Sequence, residues 1–182
     1  MTQDISVSTT SSYTSRNVQL LKEGMANEGL TFTATTNNKP NDIFALAKAF
    51  LVIAPMTHKK LQKLCYYAKA WYLAIYDTNI ITEDFQAWVH GAVQPALYQK
   101  YKVFGYSDIP QITDISNVPE EFISFAKEVY SSYGHLTGDE LERLNHQETP
   151  WLQARGACKK WESCNNIITE QSMKEYYRKL LR

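Results

Sequence analysis

Residues 57 to 76 read Thr-His-Lys-Lys-Leu-Gln-Lys-Leu-Cys-Tyr-Tyr-Ala-Lys-Ala-Trp-Tyr-Leu-Ala-Ile-Tyr. Leu61, Leu64, Cys65, Ala68, Trp71, Tyr72 and Ile75 recur at steps of three and four, the spacing that gathers side chains on one face of an α-helix. Pro55 cannot sit in a helix interior and Thr57 can cap free backbone N–H groups, so the helix starts between them and His58. The stretch predicts a buried helix.

Working outward toward the N-terminus, Asp42 is a good cap for a helix reaching Ala54, apolar on nearly all sides and so expected to be deeply buried. Asn37-Asn-Lys-Pro40 breaks the chain ahead of it. Thr31 to Thr35 alternates β-branched and apolar residues and reads as a short strand. Val18 to Leu30 has helical character weakened by Gly24 and Gly29, and residues 1 to 17, rich in Ser and Thr, read as a flexible tail.

On the C-terminal side, Phe85, Ala87 and Val89 alternate with Gln86 and Trp88, which predicts a brief strand before a turn at His90-Gly91. Pro95 suits the first turn of a helix to Val103, and a loop with Pro110 and Pro119 follows. A helix from Pro119 places Glu120 and Glu121 at its positive end and buries Phe122, Phe125, Ala126, Val129, Tyr130 and Tyr133. Thr137-Gly-Asp-Glu140 matches a capping box, with Leu136 and Leu141 as its hydrophobic staple. Thr149-Pro150 opens a short helix ending before Gly156. The last helix, Glu170 to Leu181, turns Met173, Tyr176, Tyr177, Leu180 and Leu181 inward and ends in Arg178, Lys179 and Arg182, which suit the helix dipole. The expected fold is mainly α: a compact multi-helix single domain over 42–182 with a short β-hairpin, preceded by a flexible N-terminal extension over 1–41.

Nineteen basic and nineteen acidic side chains give zero formal charge, which disfavours a phosphate-neutralising nucleic-acid binder. The longest apolar candidate, Ile43 to Ala54, carries Lys48 and falls short of the roughly 20 residues a bilayer span needs, so no membrane partner is expected. No basic region precedes an apolar stretch, as a secretory signal would require. Three cysteines, an odd number with Cys65 on the buried face, point to reduced thiols and a cytoplasmic location.

Evidence for catalysis is thin. None of His58, His90, His135 and His146 lies in a His-Glu-x-x-His arrangement. His146 with Glu148 is the most suggestive pair; the favoured alternative has His146 capping a helix and Glu148 meeting a nearby cation. Cys158 and Cys164, with Trp161 between them, lack zinc-type spacing and read as two free surface thiols. There is no Gly-rich phosphate loop and no Gly-x-Ser-x-Gly elbow. Hence no enzyme, metal or cofactor is expected.

Four blocks carry a family resemblance: Met56 to Tyr72; Phe85-Gln-Ala-Trp-Val-His-Gly-Ala-Val-Gln-Pro-Ala-Leu-Tyr-Gln-Lys-Tyr101; Leu141-Glu-Arg-Leu-Asn-His-Gln-Glu-Thr-Pro-Trp-Leu-Gln-Ala-Arg155; and Ile168 to Leu180. In that order they resemble the Panacea domain, known from a phage-associated (GepA-like) family and from the SocA-type antitoxin. The family turn commonly reads His-Gly-Pro-Val-x-Pro, and here Ala92 stands where its first proline would be. The resemblance implies a mostly helical antitoxin that binds and neutralises a cognate toxin encoded by an adjacent gene. SocA-type members look like proteolytic adaptors, so delivery of the toxin to a cytoplasmic protease is the runner-up. A small hydrolase or metal-dependent enzyme using His146, Glu148 and His90 is a third reading, and a DNA-binding regulator a fourth.

A binding surface needs rigid aromatic anchors with polar groups around them. Trp88, Tyr98, Tyr101, Trp151 and Arg155 supply such groups beside turns, with His90, Gly91, Pro95, His146 and Glu148 among them. Each also has a packing or turn-forming reading, favoured as packing for Trp151 and Trp71 and as turn architecture for His90, Gly91 and Pro95. The 88–101 and 146–155 blocks are expected to lie near one another. Oligomeric state stays open, a homo-oligomer included.

Overall fold

The computed structural model describes residues 42–182 together with Gln19 and Glu23. These two isolated positions are helical, one turn apart, and Gln19 Nε2 donates to Glu23 Oε1 at 2.7 Å. The tail over 1 to 17, the rest of the 18–30 helical stretch, the strand at 31 to 35 and the break at 37 to 40 lie outside the described residues.

Helix α1 (Ile43–Ile53) starts where Asp42 Oδ1 accepts from the N–H groups of Phe44 and Ala45 at 2.9 and 2.8 Å. After strand β1 (Met56–Thr57), Thr57 Oγ1 accepts from Lys60 N–H and caps helix α2 (His58–Tyr76). Every residue of α2 from Leu61 to Ala74 is buried, so the predicted stripe marks one face of a helix that has no solvent side there. Tyr66, Tyr67, Gln62, Lys63 and Lys69 look outward-facing by hydropathy, yet all are inside.

Strands β2 (Gln86–Trp88) and β3 (Gly91–Val93) form the antiparallel hairpin, with Trp88 opposite Gly91. The turn is therefore Val89-His90, one residue earlier than the sequence suggests. Helix α3 (Pro95–Tyr101) runs into a 3-10 turn at Lys102–Phe104. Strand β4 (Asp108–Ile109) then pairs with β1, setting Ile109 opposite Met56. Two residues are too few to show an alternation, which is why the proline-bearing loop concealed it.

Helices α4 (Glu120–Tyr133), α5 (Gly138–Asn145), α6 (Thr149–Arg155) and α7 (Glu170–Leu180) complete the domain. The capping box forms: Thr137 Oγ1 accepts from Glu140 N–H at 3.2 Å, and Glu140 Oε2 accepts from Thr137 N–H at 2.8 Å. On α7, Met173 and Tyr177 are buried while Tyr176, Leu180 and Leu181 are half-buried. Helices α1, α3, α4, α5 and α7 and strand β3 all pack on α2, which explains its burial on every side. The fold is mainly α, with two small antiparallel sheets of two strands each among the described residues.

An aromatic cluster fills the centre. Tyr67 stacks on Tyr133 with ring centroids 4.3 Å apart, and Trp71 meets Tyr177 edge to face at 4.8 Å. Trp71 Nε1 donates to the Tyr133 hydroxyl at 2.9 Å, so this tryptophan is core. Arg178 of α7 donates to the Ala74 carbonyl at 3.0 Å and, with Lys174, pairs with Asp77, the left-handed residue that ends α2. Among the described residues, no helix is long and apolar enough to cross a membrane.

Removing the capping oxygen with Thr137→Ala should cost about 1 kcal/mol of stability. Urea unfolding should show a lower midpoint with an unchanged slope; an unchanged midpoint would mean that the cap is not formed in solution.

Candidate functional site

The polar side chains that α2 buries find their partners in the hairpin. Gln62 Oε1 accepts from Gln94 N–H at 2.9 Å and its Nε2 donates to the Gln94 carbonyl at 3.1 Å, so one side chain pairs both main-chain groups of the residue leading into α3. Lys63 Nζ donates to the Ala92 carbonyl at 2.9 Å. The Ala92 N–H donates to Asn145 Oδ1 at 2.7 Å, and Asn145 Nδ2 donates to Glu148 Oε2 at 3.0 Å. The same oxygen of Glu148 accepts from the Tyr177 hydroxyl at 2.8 Å. A continuous polar seam thus joins α2, β3, α5 and α7.

Gly91 sits inside this seam at φ +90°, and a Cβ there would lie 2.8 Å from Lys63 Nζ and 2.9 Å from Asn145 Oδ1. Glycine is required for both conformation and space. Ala92 explains its departure from the family turn: its N–H points to Asn145, a bond a proline could not donate.

The seam is electrostatically tense. Full burial pushes the Lys63 ammonium down to about 7, against the pull of Glu142, and pushes the Glu148 carboxyl up to about 7 despite its bonds from Asn145 and Tyr177. Glu148 has these neutral partners and not the cation the sequence reading gave it.

In front of the seam the two turn-bearing blocks meet. Trp151 Nε1 donates to the Trp88 carbonyl at 3.1 Å. Arg155 Nη1 donates to the carbonyls of Ala87 and Glu162 at 3.2 and 2.9 Å, and its Nη2 to that of Lys159. His146 stacks on Trp151 with centroids 4.2 Å apart, and burial, reinforced by Lys63, lowers its basicity. His90 is exposed at the hairpin tip with Nδ1 3.2 Å from Glu142 Oε1, and Lys59 Nζ holds Glu142 at 2.8 Å.

These groups wall an open groove of about 960 Å³ that Val89, Leu152, Cys158, Lys160 and Trp161 complete. Trp161 is 78% exposed and Leu152 49%. Tyr98 does not line the groove; it meets Trp88 edge to face at 5.2 Å. Tyr101 is buried in the core near Phe104, Pro95 opens α3, and Gly91 and Glu148 lie behind the surface.

His146 and Glu148, adjacent in sequence, thus serve different partners. Among the described residues no group of three or more His, Cys, Asp and Glu could hold a metal ion. Cys158 and Cys164 are not separate surface thiols: Cys164 is buried and the two sulfurs are 2.6 Å apart.

Sequence reasoning missed the groove's apolar members. Val89 read as a strand residue and Leu152 as part of a short helix, and only the fold aligns them with Trp161.

Gly91→Ala should destabilise the protein by roughly 2–4 kcal/mol, because it adds both strain and overlap. A melting temperature within a degree of the parent would contradict the packing around the hairpin. Stability should also respond to pH. The folded state keeps the Glu148 proton that the unfolded chain releases near its ordinary 4.5, so this group's contribution falls from pH 4.5 to about 7 and is level above. The folded state gives up the Lys63 proton near 7 whereas the unfolded chain keeps it to about 10.5, so that contribution rises from pH 7 upward. Glu148→Gln should remove the fall below pH 7 in denaturant titrations, and an identical profile would place Glu148 in water.

The comparisons with known proteins bear on what this arrangement serves. No curated protein and no solved structure matches the chain. The family model for the antitoxin SocA-like, Panacea domain matches residues 61–152, half of the chain. That stretch runs from the first buried turn of α2 to the middle of α6 and includes the hairpin, Asn145, His146 and Trp151. The chain belongs to the antitoxin SocA-like, Panacea-domain family.

Proposed function

We propose that this protein is an antitoxin that neutralises a cognate toxin by direct binding, without catalysis, in the cytoplasm. Residues 42–182 form the binding domain in this reading, preceded by residues 1–41 as an N-terminal extension. Family membership carries the antitoxin role. The groove supplies the contact: Trp161 and Leu152 are exposed apolar anchors, and His90, Glu142 and Lys160 form a polar rim. Its walls are held by hydrogen bonds from Trp151 and Arg155 to main-chain carbonyls, so little order has to be gained on binding. Trp88, His146, Trp151 and Arg155 shape the face, Gly91 and Glu148 support it from behind, and Pro95, Tyr98 and Tyr101 do not line it.

The test is co-expression with the product of the adjacent reading frame, followed by affinity capture. Growth should be rescued and the two proteins should co-purify at fixed stoichiometry. Trp161→Ala combined with Leu152→Ser should weaken the complex at least about tenfold with the urea midpoint unchanged. Undiminished affinity would move the contact to another face. Rescue accompanied by loss of the toxin, reversed when a cytoplasmic protease is deleted, would replace sequestration by the adaptor mechanism. Absence of both rescue and complex would overturn the antitoxin role.

A further inference from the structure

Downstream of α6 the chain makes a tight loop that carries Lys160 and Trp161 between two cysteines. Gly156 ends the helix at φ +49°, and the Cys158 N–H donates back to the Arg155 carbonyl at 2.8 Å. Within the loop, Lys159 N–H donates to Glu162 Oε2 at 3.1 Å and Glu162 N–H to the Lys159 carbonyl at 3.0 Å. The buried Arg155 guanidinium grips both the Lys159 and Glu162 carbonyls. Asn166 Nδ2 donates to the Ala154 carbonyl at 2.9 Å and reaches toward Cys158 Sγ at 3.9 Å. Both ends of the loop are therefore fixed, and the cysteines at those ends face each other at 2.6 Å, inside the contact distance of two unbonded sulfurs. Cys158 is partly exposed and lines the groove, whereas Cys164 is buried. The third cysteine, Cys65, is fully buried in α2.

We propose that Cys158 and Cys164 are a redox modification site that closes reversibly into an intramolecular disulfide, with peroxide as the oxidant. The division of exposure assigns the roles. The Cys158 thiol gives its proton to solvent, and the thiolate attacks one oxygen of hydrogen peroxide; the O–O bond breaks, leaving a sulfenic acid on Cys158 and releasing hydroxide, which takes up a proton to become water. The Cys164 sulfur then attacks the Cys158 sulfur, forming the S–S bond and expelling the second oxygen as water. Two thiols are oxidised by two electrons, peroxide is reduced to two waters, and a dithiol reductant reverses the change. The hydrogen bond that Cys158 donates to Cys164 holds the Cys158 thiol above its ordinary range, against the pull of Arg155. The new bond would staple the ends of the loop that carries Trp161. This inference stands apart from the antitoxin reading, because its readout is the chain itself.

Lys159 and Lys160 lie between the cysteines, so trypsin separates them unless a disulfide holds the fragments together. The full-length folded protein should be exposed to hydrogen peroxide, blocked with an alkylating reagent in denaturant and digested. Free thiols should fall from three to one, and the peptides bearing Cys158 and Cys164 should appear as a linked pair two hydrogens lighter than their sum. Dithiothreitol should restore both peptides and all three thiols. Cys164→Ser should give no linked pair and keep Cys65 reduced. The proposal is overturned if all three thiols survive in the wild type, if the link joins Cys65 or a second chain, or if Cys158 is driven to sulfinic acid without a linked product.

Discussion

Helix α2 buries an ammonium and a carboxamide side by side, and that constraint governs the architecture around the candidate site. Between Leu61 and Ala74 no side chain of this helix reaches solvent, so Gln62 and Lys63 must find internal partners or destabilise the fold. They find them in the main chain of Ala92 and Gln94. Lys69 meets the same demand further along, donating to the Glu83 carbonyl at 2.8 Å and pairing with Glu170 at 3.0 Å, which pins the start of α7. Each buried polar group thus ties down a different segment, and the helix acts as the post to which the hairpin and the C-terminal helix are fastened.

The geometry of the hairpin follows from this fastening. Glycine at 91 lets Lys63 and Asn145 approach the backbone from one side, and the Ala92 N–H closes the link to Asn145. From Asn145 the network continues to Glu148 and Tyr177. The tip at Val89-His90 is left outside, where Glu142, itself paired with Lys59, partners His90. Rigidity at the face is thus generated behind it. This division also explains why Glu148, which reads as a contact, supports the surface from within.

Much of the scaffold was legible before any coordinates. Caps at Asp42, Thr57 and Thr137 are local chemistry, and local chemistry survives folding. The same holds for Pro95 and Pro150 at helix starts. What could not be read was tertiary. A stripe of apolar residues says that one face of α2 is buried, but not that neighbours cover the other sides. Trp151 carried a packing reading and a contact reading: its indole N–H secures the Trp88 carbonyl, as the packing reading expects, and its ring lines the groove. The proximity of Cys158 and Cys164 depends on the grip of Arg155 on the loop, which spacing alone does not encode.

Amide hydrogen exchange, compared between the free chain and the chain bound to the proposed toxin partner, decides whether the face held by the α2 seam is the contact surface. Protection gained at residues 88–91 and 146–162, with the amides of α1 and α4 unchanged, is the expected pattern. Protection confined to α1 and α4, with the hairpin tip and the Trp161 loop exchanging as they do in the free protein, would contradict it.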